Sequence, residues 1–138
     1  MDIALGTEMD KNQIIERFPH TKQVIGNEGI LIVAKMHSEI IGFLWAFIRN
    51  IPIADNVTEM FINVVEIFEN RFWGKGIGSL MVNKCIETAQ ENSCYQVRAY
   101  FDICNTRSSR MWVKNRFAIS PVKLDNGSIP GAYVTYKL

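Results

Sequence analysis

The chain has 138 residues, 48% of them hydrophobic and 21% charged, with fifteen basic and fourteen acidic side chains for a net charge of +1. That size and balance describe one domain, residues 1–138, with a real core, and exclude a disordered tail, which lacks the apolar residues to build one. Near-neutral charge argues against a general nucleic-acid or membrane binder. The longest apolar run, nine residues from Ile40 to Ile48, falls short of the ~20 that span a bilayer.

The charge is unevenly spread. Residues 1–70 hold five basic and ten acidic side chains, a balance of −5, and residues 71–123 hold nine and three, a balance of +6. A basic second half suits a compact polyanion, and an acidic first half suits a cation. The opening MDIALGTEMDK has no basic-then-apolar pattern and does not read as a secretory signal. Three cysteines (Cys85, Cys94, Cys104), spaced nine and ten apart, fit neither a disulfide framework nor a metal site. A reducing, cytoplasmic setting is the expectation.

In chain order, the first predicted helix runs from about Lys11 to Phe18, capped by Asp10 with Gln13 three residues on, and stopped by Pro19. Two runs rich in Ile, Val and Phe, Ile30 to Met36 and Ile40 to Ile48, flank His37-Ser38-Glu39 and read as a hairpin. Val57 to Phe68 reads as a third antiparallel strand. The period then changes: Ile77, Leu80, Met81, Cys85 and Ala89 fall at helical spacing. Tyr95 to Phe101 reads as a strand and Asn105 to Lys114 as a helix. Phe117 to Leu124 and Ala132 to Leu138 read as closing strands around Asp125-Asn126-Gly127. The order implies a mixed α/β sheet with helices on its faces.

The chemistry-bearing segment is Arg71-Phe-Trp73-Gly74-Lys75-Gly76-Ile77-Gly78-Ser79, where a strand ends and a helix begins. Alternating glycines permit a tight turn with no Cβ against a ligand. The first amides of the helix lack acceptors and carry the positive end of its dipole, so the place suits phosphate oxygens. Lys75 adds a charge and Ser79 a hydroxyl. A Walker loop needs four residues between its glycines and then Lys-Ser or Lys-Thr, and the dinucleotide fingerprint needs glycine where Ser79 stands.

The stretch FWGKGIGSLM resembles the acetyl-CoA loop of the GNAT superfamily of N-acetyltransferases, written Gln/Arg-x-x-Gly-x-Gly/Ala. Two registers fit, Arg71-x-x-Gly74-x-Gly76 and Trp73-x-x-Gly76-x-Gly78; the second starts the helix at Ile77. Downstream, Asn105-Thr-Arg-Ser108-Ser-Arg-Met-Trp112-Val-Lys-Asn-Arg116-Phe117 is similar to the family's Asn-x-x-Ala-x-x-x-Tyr-x-x-x-Gly-Phe helix. The likeness spans roughly residues 30 to 124.

The resemblance implies a GNAT-type mixed, mostly antiparallel sheet with helices on both faces, and direct acetyl transfer from acetyl-CoA to a primary amine of a small molecule or peptide in a ternary complex. It implies a diphosphate on Trp73, Gly74, Lys75, Gly76, Ile77, Gly78 and Ser79. The pantetheine arm would pair with main chain near Ile67 and Phe68, with Asn105 bonding it from the other side. The amide of Phe68 or a neighbour would face the thioester oxygen, and Glu66 would serve as base. No metal is implied, and a homodimer would be in keeping with the family. Glu59 and Glu69 are weaker candidates for the base.

Two departures stand out. Trp112 occupies the place of the tyrosine that protonates the leaving thiolate, and indole N–H is no useful acid. Arg116 replaces the helix-ending glycine. Trp112 keeps open a second reading, a GNAT-fold module that binds CoA or a protein without turnover. A nucleotide-binding module for ATP or NAD is a third. His20 and His37 read as surface residues, Cys104 as a small buried one, and Trp45 and Phe47 as core. The Arg107, Arg110, Lys114 and Arg116 cluster reads equally as a phosphate contact or a solvated face.

Overall fold

The computed structural model describes residues 1–138. In order the elements are β1 (Asp2–Leu5), α1 (Glu8–Arg17), β2 (Ile30–Met36), β3 (Glu39–Asn50), β4 (Thr58–Ile67), α2 (Ile77–Glu91), β5 (Gln96–Asp102), α3 (Thr106–Lys114), β6 (Ala118–Val122) and β7 (Gly131–Lys137). They form one seven-stranded sheet in the order β1-β2-β3-β4-β5-β7-β6. Only β4 and β5 are parallel; every other neighbouring pair is antiparallel.

Both faces are covered, which is why the central strands are apolar without clear alternation. Leu31, Val33, Phe43 and Trp45 face Ile14 of α1, while Ile32, Leu44, Met60 and Val97 face Met81, Val82 and Cys85 of α2. No helix is long and apolar enough to cross a membrane. Burial, and then the neighbouring Cys94, pushes the Cys85 thiol up to about 12, so it packs as a protonated group. Cys104, expected inside, is exposed, because it lies in the turn between β5 and α3.

The first helix begins earlier than its apolar pattern suggests. Thr7, not Asp10, is the N-cap: its hydroxyl accepts from the Asp10 amide at 3.1 Å, and Asp10 accepts from the Thr7 amide at 2.9 Å. Asp10 is the third helical residue of a capping box, and it also meets Lys35 Nζ at 2.9 Å. Burial alone would raise its carboxyl, but the Thr7 amide, Lys35 and the Thr7 hydroxyl outweigh it and hold the group below its ordinary 3.8. The stabilisation is therefore complete above the unfolded value and is lost as pH falls through the lower folded one. Asp10→Asn should cost about 1 kcal/mol at neutral pH. Its urea midpoint should also fall less steeply than the wild type's between pH 5 and 2.

Arg116 adopts the left-handed conformation that favours glycine. Its φ is +67°, its N–H donates to Val113 O at 3.0 Å, and the Phe117 N–H donates to Trp112 O at 3.0 Å. These are the two bonds of a Schellman close, with the Trp112 and Phe117 rings 4.8 Å apart as its apolar contact. A left-handed arginine is strained where glycine is not. Arg116→Gly should raise stability by about 1 kcal/mol, read as a higher urea midpoint at unchanged slope.

Candidate active site

The site is organised by one extra residue. In the β3–β4 ladder Trp45 pairs with Val64 and Ala46 with Ile62, so Asn63 is a bulge with no partner. Its side chain is tied down by an Nδ2–H bond to Val24 O at 2.9 Å. Before the bulge, Met60 and Ile62 face α2; after it, Val65 and Ile67 take that face, and Val64 and Phe68 turn to α1. Alternation then puts Glu66 on the α1 face. Were Asn63 an ordinary strand position with a partner of its own, Glu66 would share the face of Met60.

The same strand loses its other neighbour. β4 pairs with β5 only from Glu59↔Gln96 to Ile62↔Ala99, whereas β5 continues along β7 to Asp102↔Gly131. Beyond Ile62 the two strands part and a cleft opens. The Phe68 N–H is turned away from it, donating to Ile41 O at 3.0 Å. Phe68 is thus corrected as the main-chain donor: in an antiparallel ladder alternate residues face the same neighbour, so Val65 and Ile67 present their main chain to the cleft. Trp73 Nε1 already donates to Ile67 O at 3.1 Å.

At the cleft mouth, Gly74 and Gly76 have φ of +74° and +80°, and a Cβ on either would meet no protein atom within 4 Å. Gly78 is small for another reason: a Cβ there would lie 2.9 Å from Met111 Sδ. α2 starts at Ile77, as the second register requires. Its first bond runs from the Leu80 N–H to Gly76 O at 3.1 Å, leaving the amides of Ile77, Gly78 and Ser79 without helical acceptors.

Ser79 is oriented by a residue that sequence reasoning missed. Asn115 Nδ2 donates to Ser79 Oγ at 2.9 Å and to Met111 O at 2.8 Å. With a lone pair taken, the hydroxyl keeps its proton for an acceptor at the helix start. Asn115→Asp would reverse this bond and add negative charge. Acetyl-CoA binding is expected to weaken about tenfold, about 1.4 kcal/mol, and the thermal midpoint to fall, because a carboxylate cannot donate to Met111 O; calorimetric titration and thermal unfolding read the two separately.

The loop and α3 meet directly. The Arg107 guanidinium lies 3.4 Å above the Trp73 ring centroid, so at least this member of the basic cluster faces the loop. Asn105 caps α3, its Oδ1 accepting from the Ser108 amide at 3.0 Å, which leaves its Nδ2 as the donor for a ligand. Lys75 is exposed. Trp112 is buried, and its Nε1 donates to Ser108 Oγ at 2.8 Å, so the indole points into its own helix.

The three candidate glutamates separate clearly. Glu59 is 3% exposed and held by Arg49 at 2.6 Å and Gln96 at 2.7 Å, a structural pairing. Glu69 pairs with Arg71 at 2.6 Å. Glu66 meets His20 Nε2 with both oxygens, at 2.8 and 3.1 Å. His20 and His37 are both exposed, as expected, but nothing local links His20 to a strand 46 residues away. On the same face a cleft lies between α1 and the β2–β3 turn, lined by Arg17, Phe18, Glu39 and Phe68 among others.

An open mixed sheet, parted beside a bulged strand and faced by a glycine-rich helix start, has the shape and free amides that suit an extended, phosphate-bearing ligand. The Acetyltransferase (GNAT) family matches residues 5–117, and the chain belongs to that family. No curated protein matches it. Three solved structures illustrate the likeness. A GNAT family acetyltransferase from Elizabethkingia anophelis with acetyl-CoA bound is 17% identical with a TM-score of 0.68, over 99% of this chain and 97% of that one. The aminoglycoside 6'-N-acetyltransferase from Enterococcus faecium is 13% identical with a TM-score of 0.72, over 99% and 97%. The ribosomal-protein-alanine N-acetyltransferase from Brucella melitensis is 17% identical with a TM-score of 0.71, over all of both chains.

Proposed function

We propose that residues 1–138 act as a single N-acetyltransferase domain in a reducing, cytoplasmic setting, passing an acetyl group from acetyl-CoA directly to a primary amine. The observation that carries this reading is the run of amides at Ile77, Gly78 and Ser79, without acceptors of their own, beside the unpaired edge of β4. The diphosphate would lie on Trp73 to Ser79. The pantetheine amides would extend the sheet along Val65 and Ile67, with Asn105 Nδ2 across the cleft. The N–H of Ile67 or Val65 would face the thioester oxygen, where charge builds during attack. Glu66, on the opposite face, serves the removal of a proton from the incoming ammonium, directly or through the group it holds. The acidic first half of the chain suits a small cationic molecule or a peptide amine. The bound structure and the two acceptors that the names above carry, an aminoglycoside and a ribosomal-protein alanine, agree with this range.

Trp112 favours one other reading, a module that binds CoA without turnover, because its indole is buried and offers no acid. Thiolate is nonetheless a tolerable leaving group near its free pKa of about 8.5. Thiol release should be followed with acetyl-CoA and a panel containing kanamycin, spermidine and an alanine-initiated peptide. Release with at least one amine supports the enzyme. Binding of acetyl-CoA without release from any amine supports the module, and binding of ATP in its place rejects both.

A further inference from the structure

We propose that His20 is the base that takes the proton from the acceptor amine, with Glu66 as its positioning residue. The inference rests on the acetyltransferase reading above. An ionised carboxylate can only accept, so the two contacts of 2.8 and 3.1 Å require the hydrogen to sit on Nε2. The lone pair is then on Nδ1, which bonds to no protein group. Glu66 is the less available of the two, its side chain 31% exposed against 61% for His20, and both its oxygens are engaged.

The imidazole is held on a rigid turn. Pro19–Gln23 is a 3₁₀ turn in which Thr21, fully buried, donates through its N–H and its hydroxyl to Phe18 O at 2.9 and 2.6 Å. Phe18 stacks on Phe68 at 3.9 Å, which ties the turn to the end of β4. Two independent features therefore meet: the Asn63 bulge turns Glu66 to this face, and the turn brings His20 to it. The charged groups around the ring are Glu66 from β4, Arg17 from the end of α1, itself over the Phe18 ring and paired with Glu39, and Lys22 on the same turn. A neutral imidazole is a stronger base than an ionised carboxylate, which suits it to proton removal near neutral pH.

In the step, R–NH₃⁺ gives one proton to Nδ1 and becomes R–NH₂. Its nitrogen attacks the thioester carbon; the C–N bond forms, and the C–S bond breaks with its electron pair going to sulfur. The second proton leaves nitrogen for that sulfur. The products are the amide, CoA thiol and an imidazolium that returns its proton to water.

The test uses the full chain, acetyl-CoA and the best amine of the panel, from pH 5.5 to 9.5. His20→Gln, whose amide can still donate to Glu66, should lower kcat at pH 7 by about 100-fold or more, within the range of a lost general base. KM for acetyl-CoA should not change, and the deficit should shrink towards pH 9.5 as the amine deprotonates unaided. Glu66→Gln should lose about tenfold in kcat yet keep the limb of the profile. Nitrogen NMR of the free protein should find His20 as the Nε2–H tautomer. A His20→Gln enzyme with wild-type rate and profile overturns the proposal, as does a Glu66→Gln enzyme that alone loses the limb, or an Nδ1–H tautomer. A wild type that releases no thiol with any amine instead rejects the acetyltransferase reading, and the base falls with it.

Discussion

Replacing Gly76 by valine should weaken acetyl-CoA binding about 100-fold, about 2.7 kcal/mol, while lowering stability by only 1–2 kcal/mol. Gly76 has φ +80° and caps α2, and a Cβ there meets no protein atom within 4 Å. The folded chain therefore has room for the new side chain, and its cost is mainly the left-handed backbone, about 1–2 kcal/mol. Binding suffers more. The open space beside Gly76 is where a diphosphate must lie to reach the amides of Ile77, Gly78 and Ser79. A branched Cβ occupies it, and relaxation to negative φ would rotate those amides away. Calorimetric titration and thermal unfolding measure the two effects separately. Undiminished affinity in the variant would falsify the assignment of these amides as the donor's grip.

Trp112→Ala should destabilise the fold by about 3–5 kcal/mol, the range for an aromatic removed from a packed interior. Trp112 is 3% exposed and meets the Phe117 ring at 4.8 Å and 63°. Against a total of about 5–15 kcal/mol, that is a large share. Trp112→Phe keeps the apolar contact and loses the bond to Ser108, and should cost about 1 kcal/mol. Urea unfolding of the two variants checks the contrast. Equal, small losses would mean that the indole serves the cleft and not the core.

Much of the architecture is legible in the residues because local pattern and tertiary packing agree. Ile30–Met36 and the start of α2 at Ile77 are placed as their periodicity and glycines predict. β1 is not legible: Asp2–Leu5 is four residues long, mostly exposed, and owes its form to pairing with β2. The helix cap slips from Asp10 to Thr7 because a capping box puts acceptors at both ends and only geometry tells which residue has left the helix. The proposed phosphate site is legible because such a site is built from consecutive amides. The proposed acceptor side is not legible, since it depends on the Asn63 bulge, which leaves no compositional mark, and on His20 meeting Glu66 across 46 residues. Phe68 fails as an amide donor for a related reason: which neighbour an N–H faces is fixed by ladder register, not by residue type.

The brief β4–β5 contact has a mechanical consequence. Four antiparallel strands on one side and three on the other are joined in the sheet by only the four rungs from Glu59↔Gln96 to Ile62↔Ala99, in the less favourable parallel sense. Two stiff plates thus share a narrow seam. Force or heat should part the sheet there first, and any ligand laid into the gap acts as additional rungs, stitching the plates where the chain itself stops doing so.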